Sequence, residues 1–254
     1  MDKRNHRESA AGCPGMMHKA ASLAAQEVTE EELRAINKLA LEPLAAEDVF
    51  TFKAVLCDTE LDRQFEHFSP KALHDMRKLY QGRTVIKDHE PTADNQVARI
   101  YATEVVDTGR LMKSGEPYLQ LVAHCYMVRT ASNADLITEI RAGIKKEGSV
   151  GFRPSSCICS ICGTDNVKSY CRHWAGRSYD KEGGPQVCTF KLDGVSDAYE
   201  FSLVAVPAQR AAGVSKSYTG ETVTPDDFPP VPDDRGTELT LRARLGVAIA
   251  KINR

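Results

Sequence analysis

Short stretches with the alternation of β-strands follow one another between residues 49 and 206, and this succession constrains the fold more than any other feature of the chain. Residues 49–58 (VFTFKAVLCD) and 118–128 (YLQLVAHCYMV) are rich in β-branched and aromatic side chains, which is typical of strands. Shorter strands are predicted at residues 83–89, 96–106, 148–152 and 199–206. The Ser-Pro pair at its start predicts a helix at residues 69–80, and the spacing of apolar residues predicts another at residues 133–146.

The predicted strands do not alternate regularly with helices, and this argues against a doubly wound parallel sheet. The pattern predicts an α+β fold with a mainly β, barrel-like core, closed or nearly closed, and with helices packed outside it. A cysteine-rich segment at residues 157–190 interrupts the strand pattern and predicts a small insertion into this core.

The composition divides the chain into three parts. Residues 1–45 are predicted to form a flexible polar leader and then a helix, at whose start Thr29 and Glu32 form a capping box. Residues 46–215 carry the strand pattern and form the predicted domain. Residues 216–254 are predicted to form an extended linker rich in Pro and Asp, followed by an amphipathic C-terminal helix.

Charge and hydropathy argue against two broad classes of function. The formal net charge is −2, whereas a general nucleic-acid binder carries a basic excess. No apolar run reaches the length of a membrane span, and the basic N-terminal segment lacks the apolar stretch of a signal peptide. We therefore expect a cytosolic protein with neither a membrane partner nor a direct nucleic-acid partner.

Five of the eight cysteines fall within residues 157–188, and in a cytosolic protein such clustering indicates metal ligation before a disulfide framework. The candidate ligands are Cys159, Cys162, Cys171, His173 and Cys188, with Cys157 as a sixth and less favoured one. The first two form a Cys-x-x-Cys knuckle and the next two a Cys-x-His pair. Thiolates with one imidazole at these spacings favour a closed, structural Zn²⁺ site. Because four ligands suffice, one of the five is predicted to be spare.

Other interpretations of the cysteines stay open. Buried thiols without a metal are one, and a redox-active Cys-x-x-Cys pair is another, although no βαβ unit surrounds the pair. A catalytic metal is less expected, because catalytic sites keep an open position. We expect the ion to stabilise the fold of residues 157–190, because they have almost no apolar core of their own.

Three short stretches carry a histidine, a serine and a glutamate of the types used in catalysis. The stretches are KDHEP (residues 87–91), EGSVGF (147–152) and YEFSLV (199–204). Taken singly, His89, Ser149 and Glu200 are each explained as well by an ordinary surface or hydrogen-bonded polar residue. The glycines beside Ser149 lack the Gly-x-Ser-x-Gly spacing of a nucleophile elbow, which argues against an α/β-hydrolase.

The order of these stretches along the chain adds information that none of them carries alone. Between residues 49 and 213, five segments in order resemble motifs of the prohead maturation proteases of tailed bacteriophages, relatives of the herpesvirus assemblin-type serine proteases. The segments are VLCDTELDRQFEHFSPKAL, TVIKDHEP, QVARIYATEV, ADLITEIRAGIKKEGSVGF and YEFSLVAVPAQRAA.

The resemblance implies that Ser149 is a nucleophile and that His89 is its general base. A serine hydroxyl needs such a base, and an imidazole titrates close to neutral pH. Assemblin-type enzymes use a second histidine as the third member, whereas the matching strand here offers Glu200, whose carboxylate would stabilise the imidazolium in the same way. Gly148 and Gly151 would let the backbone approach the developing oxyanion.

The same resemblance implies a serine endopeptidase that processes scaffold and capsid precursor proteins, and itself, during phage head maturation. The implied partners are the phage major capsid protein and its scaffold segment, with a homodimer by analogy and no cofactor for catalysis. The implied location is the cytoplasm of the bacterial host, inside the immature prohead. Two alternatives stay open: a catalytically silent homologue that acts as capsid scaffold or chaperone, and a zinc-ribbon nucleic-acid binder, which the near-balanced charge of residues 157–190 disfavours.

Overall fold

The computed structural model describes residues 28–215, which contain three α-helices and twelve β-strands. The helices are α1 (Glu30–Asn37), α2 (Pro70–Leu79) and α3 (Ala134–Arg141). The strands are β1 (Val49–Asp58), β2 (Glu66–Phe68), β3 (Thr84–Lys87), β4 (Ala98–Leu111), β5 (Pro117–Val128), β6 (Gly148–Pro154), β7 (Cys157–Cys159), β8 (Ser178–Lys181), β9 (Gly184–Val187), β10 (Phe190–Leu192), β11 (Val195–Leu203) and β12 (Gly213–Val214). The predicted leader, linker and C-terminal helix lie outside the described residues.

Seven strands form the main sheet, in the order β12-β1-β5-β4-β3-β11-β6. All neighbouring strands in it are antiparallel except β3 and β11, which run parallel. The two edges of the sheet approach each other where a single bridge joins Glu147 to Gly213. Because no ladder between β12 and β6 extends this bridge, the described strands do not form a closed barrel. The mainly β core with few helices is confirmed, and of the two predicted forms, closed or nearly closed, the closed barrel is not found among the described strands.

The hydrophobic core lies against the main sheet and is completed by two helices. The side chains that α2 and α3 bury there are Ala72, Leu73, Met76, Leu136, Ile137 and Ile140. Burying a large aliphatic side chain of this kind stabilises a fold by about 1.5–3 kcal/mol. Helix α2 begins as predicted, because the Oγ of Ser69 accepts the N–H of Ala72 over 3.1 Å and Pro70 occupies the first turn.

The first and third helices end earlier than the sequence predicted. Helix α1 has the expected capping box of Thr29 and Glu32, but it stops at Asn37 and leaves Leu41 fully exposed. Helix α3 stops short of residue 146 because Gly143 adopts a φ of 72°, the left-handed conformation that terminates helices. Within the described part of the chain, no helix is long and apolar enough to cross a membrane.

Residues 157–190, called here the cysteine-rich lobe, continue the hairpin formed by β6 and β11. Strand β7 follows β6 and pairs with β10, which leads into β11 and also pairs in parallel with β2. Hydrogen bonds bridge the junction, since the N–H of Ser155 donates to the C=O of Gly194 and the N–H of Asp193 donates to the C=O of Ser156, both over 3.0 Å. Strands β7 and β10 of the lobe therefore extend the pair formed by β6 and β11.

Candidate active site and metal centre

Strand β11 lies between β3 and β6 and presents two different faces. Phe201 points into the hydrophobic core, whereas Glu200 and Ser202 alternate with it and lie on the opposite face. Across the ladder, Glu200 pairs with Gly151 and Ser202 pairs with Ser149. Because opposed residues of an antiparallel pair project to the same face, Ser149 shares the face of Glu200 and Ser202.

His89 reaches this face through an unusual turn after β3. The strand ends at Lys87, two residues earlier than predicted, because Asp88 and His89 adopt left-handed backbone conformations with φ of 54° and 55°. Such angles are uncommon for residues other than glycine. The N–H of Asp88 donates to the C=O of Leu203 over 3.0 Å. The N–H of His89 donates to the Oγ of Ser202 over 2.9 Å, so the turn folds back onto β11.

The imidazole of His89 contacts the carboxylate of Glu200. Nδ1 of His89 lies 2.8 Å from Oε1 of Glu200, whose side chain is 10% exposed. The hydrogen bond to Glu200 raises the pKa of His89 and outweighs the opposing effect of partial burial, and the charge of Asp88 adds to the rise. With the Nδ1 proton donated to Glu200, Nε2 of the neutral ring is left as the acceptor. The buried Oε2 of Glu200 has no hydrogen-bond partner among residues 28–215.

Ser149 lies on the same face but is not hydrogen-bonded to His89. Within the described residues, the N–H of His89 bonds to Ser202 and its ring bonds to Glu200. Ser149 is one strand further on, directly opposite Ser202. The structure thus brings two of the three predicted catalytic residues into contact and places the third on the neighbouring strand.

Gly148 and Gly151 leave room for side chains of β11. A Cβ atom at position 151 would overlap Oε1 of Glu200, and one at position 148 would overlap the ring of Phe201. The N–H of Gly148 already donates to the C=O of Ala212 over 3.2 Å. Gly148 therefore serves the packing of the sheet, and its N–H is not free to receive an oxyanion.

Two residues that build this site were not candidates in the sequence. Ser202 is fully buried and accepts the N–H of His89. Asn95 closes the loop that carries His89, because its Nδ2 donates to the C=O of Lys87 over 2.7 Å and to that of Glu90 over 2.9 Å. The strand period could have marked Ser202, which stands two residues after Glu200, whereas the role of Asn95 depends on the loop conformation.

Four of the five predicted metal ligands form one cluster in the cysteine-rich lobe. The ligand atoms of Cys159, Cys162, Cys171 and His173 all lie within 4.8 Å of one another. Thiolates that share a tetrahedral ion at about 2.3 Å lie about 3.8 Å apart, so this cluster could hold one metal ion. Cys188 lies beside the cluster but outside the group of four, with its Sγ 3.8 Å from that of Cys159.

The surroundings of the cluster fit a cation. Nδ1 of His173 is buried and has no hydrogen-bond partner among the described residues, and the ring packs edge-on against Tyr179. Hydrogen bonds from the Thr164 hydroxyl, 3.1 Å from the sulfur of Cys162, and from the Thr164 N–H lower the pKa of that thiol to about 6, whereas burial raises the pKa of Cys171. A bound dication favours the thiolate form of the three cysteine ligands, which removes the cost of crowding these sulfurs together.

The lobe has little else to hold it together. Its buried cluster, as far as the structure describes it, consists of Cys159, Cys171, Cys188 and Phe190, so three of the four members are cysteines. The knuckle between the first two ligands is a tight turn in which Gly163 has a φ of 73° and donates its N–H to the C=O of Cys159 over 2.9 Å. With so little apolar area buried, ligand bonds to a metal would dominate the stability of the lobe.

Comparisons of the chain with models of protein families, with curated proteins and with solved structures found no match. The resemblance to prohead proteases therefore rests on the order of the five sequence segments alone and stays a prediction.

Proposed function

We propose that the chain is a serine endopeptidase in which Ser149 is the nucleophile, His89 the general base and Glu200 the residue that orients the base. The observation that carries the proposal is the 2.8 Å contact between Nδ1 of His89 and Oε1 of Glu200, on a sheet face that also bears Ser149. A buried carboxylate on Nδ1 fixes the tautomer in which Nε2 can accept a proton, which is the task of a general base.

In the proposed reaction, Oγ of Ser149 attacks the carbonyl carbon of the peptide bond while its proton passes to Nε2 of His89. Glu200 stabilises the imidazolium that forms, in keeping with the raised pKa of His89. The imidazolium then protonates the leaving amine, and an acyl group remains on Ser149. Water, deprotonated by the same imidazole, hydrolyses this ester and restores the serine.

The proposed reaction requires Nε2 of His89 and Oγ of Ser149 to come within hydrogen-bond reach. Catalytic hydrogen bonds are often long or misaligned without substrate and tighten in the complex. Ser149 stands on β6 opposite Ser202, and His89 bonds to that same Ser202 from the other side. The backbones of His89 and Ser149 thus lie on the two sides of β11.

We propose scaffold and capsid precursor proteins of a phage prohead as substrates, together with the chain itself. The support is the order of the five segments that resemble prohead proteases. The same resemblance suggests action inside the immature prohead in the host cytoplasm, contact with the major capsid protein, and a homodimer.

We propose further that the group formed by Cys159, Cys162, Cys171 and His173 binds Zn²⁺ as a structural ion. Three thiolates and one imidazole form a closed tetrahedral donor set that suits zinc and leaves no position for a substrate. The unpartnered, buried Nδ1 of His173 supports this assignment.

A catalytically silent capsid scaffold or chaperone is the second candidate. One observation favours it: in the described residues, Ser149 and His89 share no hydrogen bond. The two candidates differ in whether Ser149 is needed for any cleavage.

The test compares the intact mass of the wild-type chain with that of Ser149→Ala over several hours, alone and then with the capsid precursor added. We expect the wild type to cut itself or the precursor and the Ser149→Ala chain to leave both whole. Glu200→Gln should slow cleavage by about 10²–10⁴-fold, because the imidazole loses its orienting charge.

Ser196→Ala is the matched control, because Ser196 is exposed on β11 and should cleave like the wild type. Identical fragments from the wild type and Ser149→Ala would identify a contaminating protease and remove the support for Ser149. No cleavage of the precursor by the wild type would instead favour the silent scaffold.

A further inference from the structure

The turn that carries His89 is held in a conformation that its own residues do not favour. Asp88 and His89 are consecutive residues with φ near +55°, a strained region that Asp and His enter more readily than most non-glycine residues but that persists when the surroundings hold it. The contacts that hold this turn therefore also determine the position of the imidazole of His89.

Two residues of strand β11 accept hydrogen bonds from the backbone of this turn. The Oγ of Ser202 accepts the N–H of His89 over 2.9 Å, and the next residue, Leu203, accepts the N–H of Asp88 over 3.0 Å. Ser202 is fully buried, so water cannot replace its hydroxyl as the acceptor. Loss of this acceptor would leave the N–H of His89 unsatisfied in its folded position.

The same strand holds the ring of His89 as well as its backbone. Glu200 stands two residues before Ser202 on the same face and binds Nδ1 of His89 over 2.8 Å. The ring of His89 is thus bonded to Glu200 and its backbone N–H to Ser202, two positions on the same face of β11. The ring of His89 therefore meets Glu200 in a conformation in which its backbone N–H is bonded to Ser202.

Ser202 also stands directly opposite Ser149 in the ladder between β11 and β6. Opposed residues of an antiparallel pair have Cα atoms about 4.5–5.5 Å apart, so the position of Ser149 relative to Ser202 is set by the sheet. His89 is bonded to Ser202 from one side of β11, and Ser149 is paired with Ser202 from the other side. The position of Ser202 therefore affects the positions of both residues.

We propose that Ser202 is a positioning residue that fixes His89 over Glu200 and sets its distance from Ser149. In its catalytic consequence this inference rests on the proposed protease function, but its structural part does not. Ser202 touches neither the substrate nor the reacting atoms in this role. It acts through the backbone of His89.

The test measures the pKa of His89 by NMR of the imidazole in the full chain, with Ser149→Ala as the parent to prevent self-cleavage. The His89 signals are identified by their loss in His89→Gln. In Ser202→Ala we expect the pKa of His89 to fall towards about 6.5, the value of a free imidazole, because the ring leaves Glu200. Ser202→Cys keeps the shape of the side chain with a slightly larger atom at its end but offers only a weak acceptor, so we expect the same fall.

Ser196→Ala is again the control and should leave the pKa of His89 at its parent value. An unchanged pKa in folded Ser202→Ala would overturn the proposal. A fall in Ser202→Ala without a fall in Ser202→Cys would also overturn it, because packing and not the hydrogen bond would then be responsible. Should Ser202→Ala not fold, Ser202→Cys carries the test, and the unfolding of both would assign Ser202 to stability and overturn the positioning role.

The catalytic consequence is measured separately, in chains that retain Ser149. Ser202→Ala and Ser202→Cys should slow cleavage about 100-fold, the effect of displacing a catalytic group by about 1 Å. If the wild type does not cleave at all, the proposed function fails while the NMR comparison still decides the role of Ser202. Normal cleavage by a folded Ser202→Ala chain would overturn the proposal.

Discussion

Gly151 lies directly beneath the carboxylate of Glu200, with no space between them for a Cβ atom. We therefore expect Gly151→Ala to push Glu200 away from His89 and to lower the pKa of His89. The overpacking should also destabilise the fold by about 1–3 kcal/mol. Imidazole NMR and urea unfolding measure the two effects.

Gly148→Ala is the matched control for Gly151→Ala. A Cβ atom at position 148 would overlap Phe201 in the core, so this variant should lose comparable stability. The pair formed by His89 and Glu200 should survive, since it lies on the other face of the sheet. Equal changes in the pKa of His89 in both variants would contradict the specific contact between Gly151 and Glu200.

The contact between His89 and Glu200 predicts a pH-dependent contribution to stability. The pKa of His89 is raised in the folded state, so the contribution is fully present below the unfolded value of about 6.5 and is lost as the pH rises through the folded value. We expect Glu200→Gln to cost more free energy of unfolding at pH 5.5 than at pH 9. Urea unfolding at several pH values measures the difference.

His89→Gln provides the background that isolates this effect. In that background the cost of Glu200→Gln should no longer depend on pH between 5.5 and 9. A cost that changes with pH equally with and without His89 would show that another group is responsible.

The buried carboxyl of Asp58, at the end of β1, predicts a second pH dependence of stability, in a different pH range from that of His89. Its side chain is buried, Oδ2 accepts the O–H of Tyr118 over 3.0 Å, and burial raises its pKa to about 7. Between about pH 4 and pH 7 the unfolded chain ionises this group while the folded chain keeps it neutral, so stability falls as the pH rises. The loss should be on the order of 4 kcal/mol by pH 8.

The side chain of Asp58→Asn cannot ionise. The free energy of unfolding of this variant should therefore rise relative to that of the wild type as the pH is raised from 4 to 8. Asp94→Asn, at an exposed position, is the control and should show no such trend. A constant difference between Asp58→Asn and the wild type across this range would refute the buried, neutral carboxyl.

The cluster of thiols and imidazole predicts one metal ion per chain. We expect Cys162→Ser and His173→Ala to lose the ion, as measured by elemental analysis of the purified protein. Hydrogen exchange should then accelerate in β7 and β10, because the lobe buries few apolar side chains. Strands β1 and β5 in the main sheet should keep their protection.

Cys188→Ser is the matched control for the metal site. Cys188 is buried beside the cluster but lies outside the group of four, so this variant should retain the ion. Loss of the ion in Cys188→Ser together with its retention in His173→Ala would assign four cysteines as the ligands instead.

Local elements of the fold were predictable because their causes lie within a few residues. Ser69 and Pro70 mark the start of α2, and the alternation of residues 118–128 marks β5. The end of β3 was not predictable in this way. The turn at His89 is held by Ser202, which lies 113 residues further along the chain.

The closure of the sheet was also beyond the sequence pattern. A succession of strands predicts a mainly β core, but closure depends on how many residues pair between the two edge strands, which here are β12 and β6. Here β12 has two residues, and its approach to β6 is limited to the bridge between Glu147 and Gly213. Pairing of strands distant in sequence carries no local pattern that could reveal this.

The sequence by itself determined the chemical types at both sites and the spacing of the metal ligands, because a knuckle and a Cys-x-His pair are local patterns. Only the tertiary structure decided that Cys188 lies outside the group of four and that His89 meets Glu200, 111 residues away. The physical reason is the parallel pairing of β3 with β11, which places the end of one strand against the polar face of the other. Such a contact arises from the register between distant strands and not from any property of the residues taken alone.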